Sequence, residues 1–240
     1  ITKSSYENGC YEQATKVIEI AKAITFTSLN TVLSPRSSYL FVNKEYNKIR
    51  ENLLLSIDIM LAIGFGFAFG IASVSNRFVP IFFGTGYDGV ILLLKLLSPI
   101  VIVITVSNAL GAQYYNPAGL RLKSSLYLLA GAFVNLILNL ALIPRFKSAG
   151  AIIASVVAEI VIAGLYLINC DGYITLIQIL KLCYKKILAG IVMVFAIMLL
   201  YKYTNNNLIG LIEMVAVGGM AYVLTLVLVR DSAVKFVIRE

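Results

Sequence analysis

The 240-residue sequence has no histidine and no tryptophan, only three cysteines and five prolines, and 13% charged residues. Without histidine it can form neither a His-Glu-x-x-His zinc site nor a Ser-His nucleophile pair. No paired carboxylates and no Gly-x-x-x-x-Gly-Lys phosphate loop occur either, so the sequence carries no enzyme signature and no motif for a cofactor or metal. Cys10, Cys170 and Cys183 lack Cys-x-x-Cys spacing and are odd in number, and they read as packing or loop residues. The scarcity of charge excludes a soluble domain, whose surface needs about a quarter charged residues.

Apolar residues stand in their place, at 60% of the chain, with a mean hydropathy of +0.89. The composition is that of an all-α integral membrane protein. Seven apolar segments follow one another: Tyr11 to Phe41, Leu53 to Val74, Val90 to Tyr114, Ser125 to Ile143, Ala149 to Ile168, Ile187 to Tyr201 and Leu208 to Val229. Most are near the roughly 20 residues a spanning helix needs, the first being longer and the sixth shorter. Both parities are apolar, which excludes the alternating strands of a membrane barrel. The intervening stretches at 43–50, 75–88, 116–119, 144–148, 170–186 and 202–207 read as loops.

The net charge of +8 reflects loop cations rather than a basic stripe, so no nucleic-acid partner is expected. Arg36, Lys44, Lys48, Arg50, Arg121, Lys123, Lys181, Lys185, Lys186, Arg230, Lys235 and Arg239 fall to one side of the membrane, twelve in all. Lys3, Arg77, Arg145, Lys147 and Lys202, five, fall to the other. The positive-inside rule makes the first side cytoplasmic, together with the C-terminus. The opening Ile-Thr-Lys, with no Met and no signal-peptide pattern, suggests a piece of a longer chain cut at an external loop.

The first segment is the wettest. Glu12, Lys16, Glu19, Ala23, Thr27, Asn30 and Ser34 share one helical stripe, and Glu12 and Lys16 stand at the favourable i,i+4 spacing. Two readings fit: turns projecting above the bilayer, or a helix lining an aqueous cavity. Charges inside a membrane helix cost at least about 2.5 kcal/mol and must face protein or water. Such charges are Arg36, Asp58, Lys95 and Glu159. Glu159 is the deepest. Lys95 can snorkel or line a cavity, and Asp58 can pair with the basic stretch before it. Asn135 and Asn139 lie on one helix face suited to helix–helix hydrogen bonds, and Gly66-x-x-x-Gly70 reads as close packing. Pro35 and Pro99 predict kinks.

Four stretches in order resemble one family: Gly9 to Ile20 (G-C-Y-E-Q-A-T-K-V-I-E-I), Thr31 to Leu40 (T-V-L-S-P-R-S-S-Y-L), Asn108 to Gly119 (N-A-L-G-A-Q-Y-Y-N-P-A-G) and Asn135 to Ile160. They are similar to the C-terminal half of bacterial polysaccharide repeat-unit flippases, in the multidrug/oligosaccharidyl-lipid/polysaccharide exporter superfamily. Asn135, Asn139, Pro144 and Glu159 match its N-x-x-x-N, proline and A-x-x-x-E pattern, and Ser34-Pro35-Arg36 its Leu-Pro-Arg-like motif with Ser for Leu. The similarity covers about Gly9 to Cys170. It divides the chain into 1–170, the matched bundle, and 171–240, two further helices with the cytoplasmic C-terminus.

The resemblance implies a polytopic helix bundle of about seven helices, the C-terminal half of a two-bundle transporter whose N-terminal half is missing here. It implies alternating-access export of undecaprenyl-pyrophosphate-linked oligosaccharide across the bacterial inner membrane, for capsule, O-antigen or exopolysaccharide, without cofactor or enzymatic step. The implied partners are the lipid-linked oligosaccharide, membrane lipid, a polysaccharide polymerase and a chain-length regulator. Glu12, Lys16, Glu19, Asn30, Arg36, Lys95 and Glu159 are the expected cavity-lining residues, with Arg36 at the pyrophosphate and Glu19 or Glu159 the carboxylate for ion coupling. A peptidoglycan-precursor flippase and a multidrug antiporter of the same superfamily remain as alternatives.

Overall fold

The computed structural model describes residues 4–234, and all its regular structure is helical. Lys3, Lys235 and Arg239 of the charge count lie outside the described residues. The helices are α1 (Ser5–Val42), α2 (Tyr46–Phe83), α3 (Asp88–Leu97), α4 (Ile100–Leu110), α5 (Arg121–Ile168), α6 (Leu176–Tyr201) and α7 (Leu208–Leu228). A π-helical turn, Gly111–Tyr115, extends α4. Starts are set by caps: Ser4 accepts from Glu7, Thr175 and Gln178 form a capping box, and Asn207 accepts from Gly210.

Four helices (α2, α5, α6 and α7) are long and apolar enough to span a membrane, and α3 with α4 through Tyr115 makes a fifth, bent by 42°. The bend falls at Ser98-Pro99, where proline offers no N–H to continue the ladder. Helix α1 has 38 residues but is less apolar than these, because of its polar stripe. It runs unbroken through Pro35.

Helix α5, at 48 residues, would be about 70 Å long if straight, more than twice the hydrocarbon thickness. It is instead broken at Lys147 (φ 52°, ψ −130°) and folds back as a hairpin. The turn works because Gly150 has no Cβ: one would sit 2.6 Å from the Leu142 carbonyl oxygen. Farther along, Gly131 lies against Ile162, and Asn135 donates to Ser155 across the legs at 3.3 Å.

Contacts sort the connections into two ends. At the first, the Tyr6 hydroxyl accepts from Gly89 N, Glu7 meets Lys147 and Ser148 of the hairpin tip, and Arg77 reaches the 201–204 turn. There the Ser148 hydroxyl, and secondarily Lys147, holds the Glu7 carboxyl below its usual range. At the second end Phe41 packs on Tyr114, Tyr114 donates to Asp171 at 2.6 Å, and Lys185 donates to the Arg230 carbonyl.

Several expected loops are helical. Helix α2 already begins at Tyr46 and runs on to Phe83, so the turns shrink to 43–45 and 84–87. Helix α6 begins at Leu176 rather than beyond Lys186. Arg77 and Lys186, counted as loop charges, are therefore helical and buried, at 3% and 0% exposure. Asp58 pairs with Lys186 of α6 rather than with the basic stretch before it.

The exterior is the apolar side. Phe133, Leu136 and Leu140 on α5, Phe195 and Leu199 on α6, and Leu224 on α7 are all exposed, as lipid-facing residues should be. This is a multi-pass membrane protein.

Candidate functional site

Two hollows of opposite chemistry lie in the bundle. The first, about 430 Å³, is enclosed by α1, the α3–α4 bend and both legs of α5. Helix α1 contributes Tyr11, Thr15, Glu19 and Lys22, and α5 contributes Asn135, Ser155 and Glu159. Lys22 is bonded to Glu19 at 2.7 Å, and Glu159 has both Lys22 and the Ser107 hydroxyl beside it. Lys22 is thus ion-paired with the exposed Glu19 and lies near the more buried Glu159. Asn139 donates to Asn135 at 2.6 Å, leaving Asn135 Nδ2 for Ser155, so the pair forms a polar stitch between the α5 legs.

The second hollow is an apolar groove of about 570 Å³ between α2 and α7, with Met193 of α6, Val17 of α1 and Leu94 of α3 completing its lining. Gly66, Gly70 and Gly219 open its walls, with Phe67, Met193 and Tyr222 around them. Gly66 lies under the Tyr222 ring and Gly70 under the Met193 methyl, where a Cβ would come within 3.3 and 3.0 Å. The Tyr222 hydroxyl is not free to polarise the groove, since it donates to the Ala62 carbonyl at 2.7 Å. A further apolar hollow of about 360 Å³ adjoins it, sharing Val74, Phe78 and Val215 and reaching Phe82 and Leu208. From Ala62 to Phe82 along α2 the two extend about 30 Å at 1.5 Å per residue.

The expected cavity residues do not all meet. Glu19 and Glu159 share the polar cavity. Asn30 lies deeper in the bundle, donating to Asn108 at 2.8 Å. Glu12 and Lys16 pair with each other at 2.7 Å on the exposed face of α1. Lys95 is exposed and donates to Asn76, and Arg36 is exposed toward the second end of α1. Lys22, Tyr11, Thr15 and Ser155 are cavity residues that sequence reasoning passed over. Only Lys22 left a local signal, its i,i+3 spacing from Glu19.

No protein-family model matches the chain. A protein named "Putative O-antigen transporter" from Escherichia coli (strain K12) is 28% identical over 123 residues, covering 50% of this chain and 30% of that protein. Among solved structures, the lipid II flippase MurJ in an inward closed conformation aligns with 94% of the chain at a TM-score of 0.74 and 17% identity. The chain has the fold of about half of that solved structure. It spans 48% of that structure's length, and 30% of the curated relative's. On this fold, Glu12, Lys16, Ala23 and Thr27 of α1 lie on an exposed face with no helix laid over it among the described residues.

Proposed function

We propose that the chain works, together with a second bundle, as a transporter that carries a lipid-linked polar head group across the bilayer by alternating access. One observation carries this reading: a polar cavity and an apolar groove stand side by side in one membrane bundle. A pyrophosphate with a hydrated glycan cannot cross about 30 Å of hydrocarbon unaided, whereas its lipid tail must stay out of water. An amphiphile of this kind needs both hollows. The groove and its extension match the hydrocarbon thickness, which suits one long chain lying along α2.

The sequence similarity to an O-antigen transporter supports an undecaprenyl-pyrophosphate-linked oligosaccharide repeat unit as substrate, destined for O-antigen, capsule or exopolysaccharide. A polymerase and its chain-length regulator would then act on the delivered unit. The fold is equally that of a lipid II flippase, so the head group is the point to test. The exposed stripe of α1 would face the second bundle across a central cavity. Arg36, beyond Pro35 and near the second end, would meet the pyrophosphate with a planar fork of donors.

A second reading has an observation of its own. The polar cavity holds Glu19 and Glu159 against Lys22 alone, an anionic balance suited to cationic drugs. Proteoliposomes of the full-length protein separate the two. Flipping of a fluorescent lipid-linked oligosaccharide without export of a cationic dye is expected, and the opposite pattern establishes a drug antiporter. In the same assay Arg36→Lys should slow flipping and Arg36→Ala should slow it about tenfold, the loss of one charged hydrogen bond. Normal rates in both would leave Arg36 as an interfacial anchor.

Sidedness follows from charge. The second end carries Lys44, Lys48, Arg50, Arg121, Lys123, Lys181, Lys185 and Arg230, and the first end Arg145, Lys147 and Lys202. By the positive-inside rule the second end, with the C-terminus, would face the bacterial cytoplasm. With an impermeant thiol reagent applied outside cells, cysteine at Asn206 should label and cysteine at Ser232 should not. Labelling at Ser232 alone inverts the topology.

A further inference from the structure

The apolar groove is fastened near both ends by a buried cation, and each cation joins its two walls, α2 and α7, to α6, whose Met193 lies over Gly70. Toward the second end, Lys186 of α6 is fully buried. Its Nζ lies 2.5 Å from Asp58 Oδ1 of α2 and 3.1 Å from Asp231 Oδ2, just beyond α7, and also donates to the Leu182 carbonyl of its own helix. Asp231 is held in place in turn by the Ala233 N–H. Toward the first end, Arg77 of α2 bonds to the Thr204 hydroxyl, to the Tyr201 and Thr204 carbonyls at 3.1 and 3.2 Å, and to Met214 Sδ of α7 at 3.2 Å. Its guanidinium also lies 4.5 Å from the centre of the Tyr201 ring.

Between these fastenings the three helices meet through apolar contacts, among them Gly190 on Phe69 and Gly218 on Ile197, and through the Tyr222–Ala62 bond. Apolar contacts slide in lipid at little cost. A buried charge cannot leave its partners without being stranded in hydrocarbon. The ends of the groove therefore hold their spacing while its flank can open.

From this we infer that Arg77 and Lys186 are positioning residues that set the groove's width, making it a side-loaded slot for a single hydrocarbon chain that rejects two-chain lipids. The inference rests on the reading of the groove as a tail site, and adds what determines its selectivity. Both cations act through the walls and touch no substrate. A narrow slot with fixed ends admits one chain from the bilayer through the flank, whereas two chains joined at one glycerol demand a wider opening.

The test uses the full-length protein in nanodiscs with two readouts. The first is the distance between spin labels at Ile63 and Val223 on opposite groove walls. The second is the ratio of groove labelling by a photoreactive polyprenyl phosphate to that by a photoreactive phosphatidylcholine. Lys186→Met combined with Asp58→Asn and Asp231→Asn removes one fastening without stranding a charge. Arg77→Lys weakens the other while keeping its charge, and Lys186→Arg is the conservative control.

The neutral triple variant and Arg77→Lys should broaden the distance distribution and lower the labelling ratio about tenfold, the order of discrimination an apolar pocket achieves. Lys186→Arg should keep both near native. A merely structural role would lower labelling by both lipids together and leave the ratio unmoved. Unchanged distances in folded triple and Arg77→Lys variants overturn the inference. If the distances broaden but neither lipid labels the native groove, the positioning role stands and the reading of the groove as a tail site falls.

Discussion

Lys186→Met alone should destabilise the protein by about 3–5 kcal/mol, the usual cost of removing one partner from a buried ion pair. The side chain is fully buried between Asp58 and Asp231, and its loss leaves two carboxylates facing each other without a cation. The volume change is small, so packing does not explain the loss. Adding Asp58→Asn and Asp231→Asn should recover most of the stability, because amides need no counter-ion. Thermal unfolding in detergent, followed by fluorescence-detected size exclusion, measures both steps. A single variant as stable as the native protein would show that the cluster carries no net burden of charge. A triple variant no better than the single would assign the loss to shape.

Filling the apolar groove should abolish transport while leaving the fold intact. Gly219 lines the groove, yet a Cβ there would meet no atom within 4 Å, so leucine can enter the space without displacing a wall. It also removes a glycine from a helix interior, which favours the folded state by up to about 1 kcal/mol. Gly219→Leu should reduce flipping by about two orders of magnitude, at the upper range of what an occupied apolar pocket can exclude. Gly70→Leu should do the same with some strain, since its Cβ would come 3.0 Å from the Met193 methyl. Gly164→Leu, on the second leg of α5 where a Cβ also meets nothing, is the control and should transport normally. Normal transport by a folded Gly219→Leu protein would show that no lipid tail uses the groove.

These predictions rest on features of unequal visibility in the sequence. The membrane setting was legible from composition, because a chain with so little charge has nothing to dress a water-facing surface. The seven apolar segments were legible too. Each falls on helical structure, Val90 to Tyr114 across the bent pair α3–α4 and its π-helical turn, and the hairpin in α5 turns where Pro144, Arg145 and Lys147 interrupt the apolar run. The wet face of α1 followed from 3.6-residue periodicity, a local property that needs no knowledge of neighbours.

The buried charges were another matter. Hydropathy assigns a cation near the end of an apolar run to a loop, since an isolated charge in hydrocarbon is too costly to expect. Lys186 and Arg77 escape that cost through partners 128 and 127 residues away, and no local pattern announces such a partner. The same holds for the polar cavity, where Glu19 and Glu159 come together from helices far apart in the chain, and for the groove, whose walls come chiefly from α2 and α7. Sequence by itself determined which segments are apolar enough for a membrane and which face of α1 is polar, because transfer from water to lipid is paid residue by residue. Only the tertiary structure decided which charges could remain buried and where the hollows lie, because both depend on what a different helix places within a few ångströms.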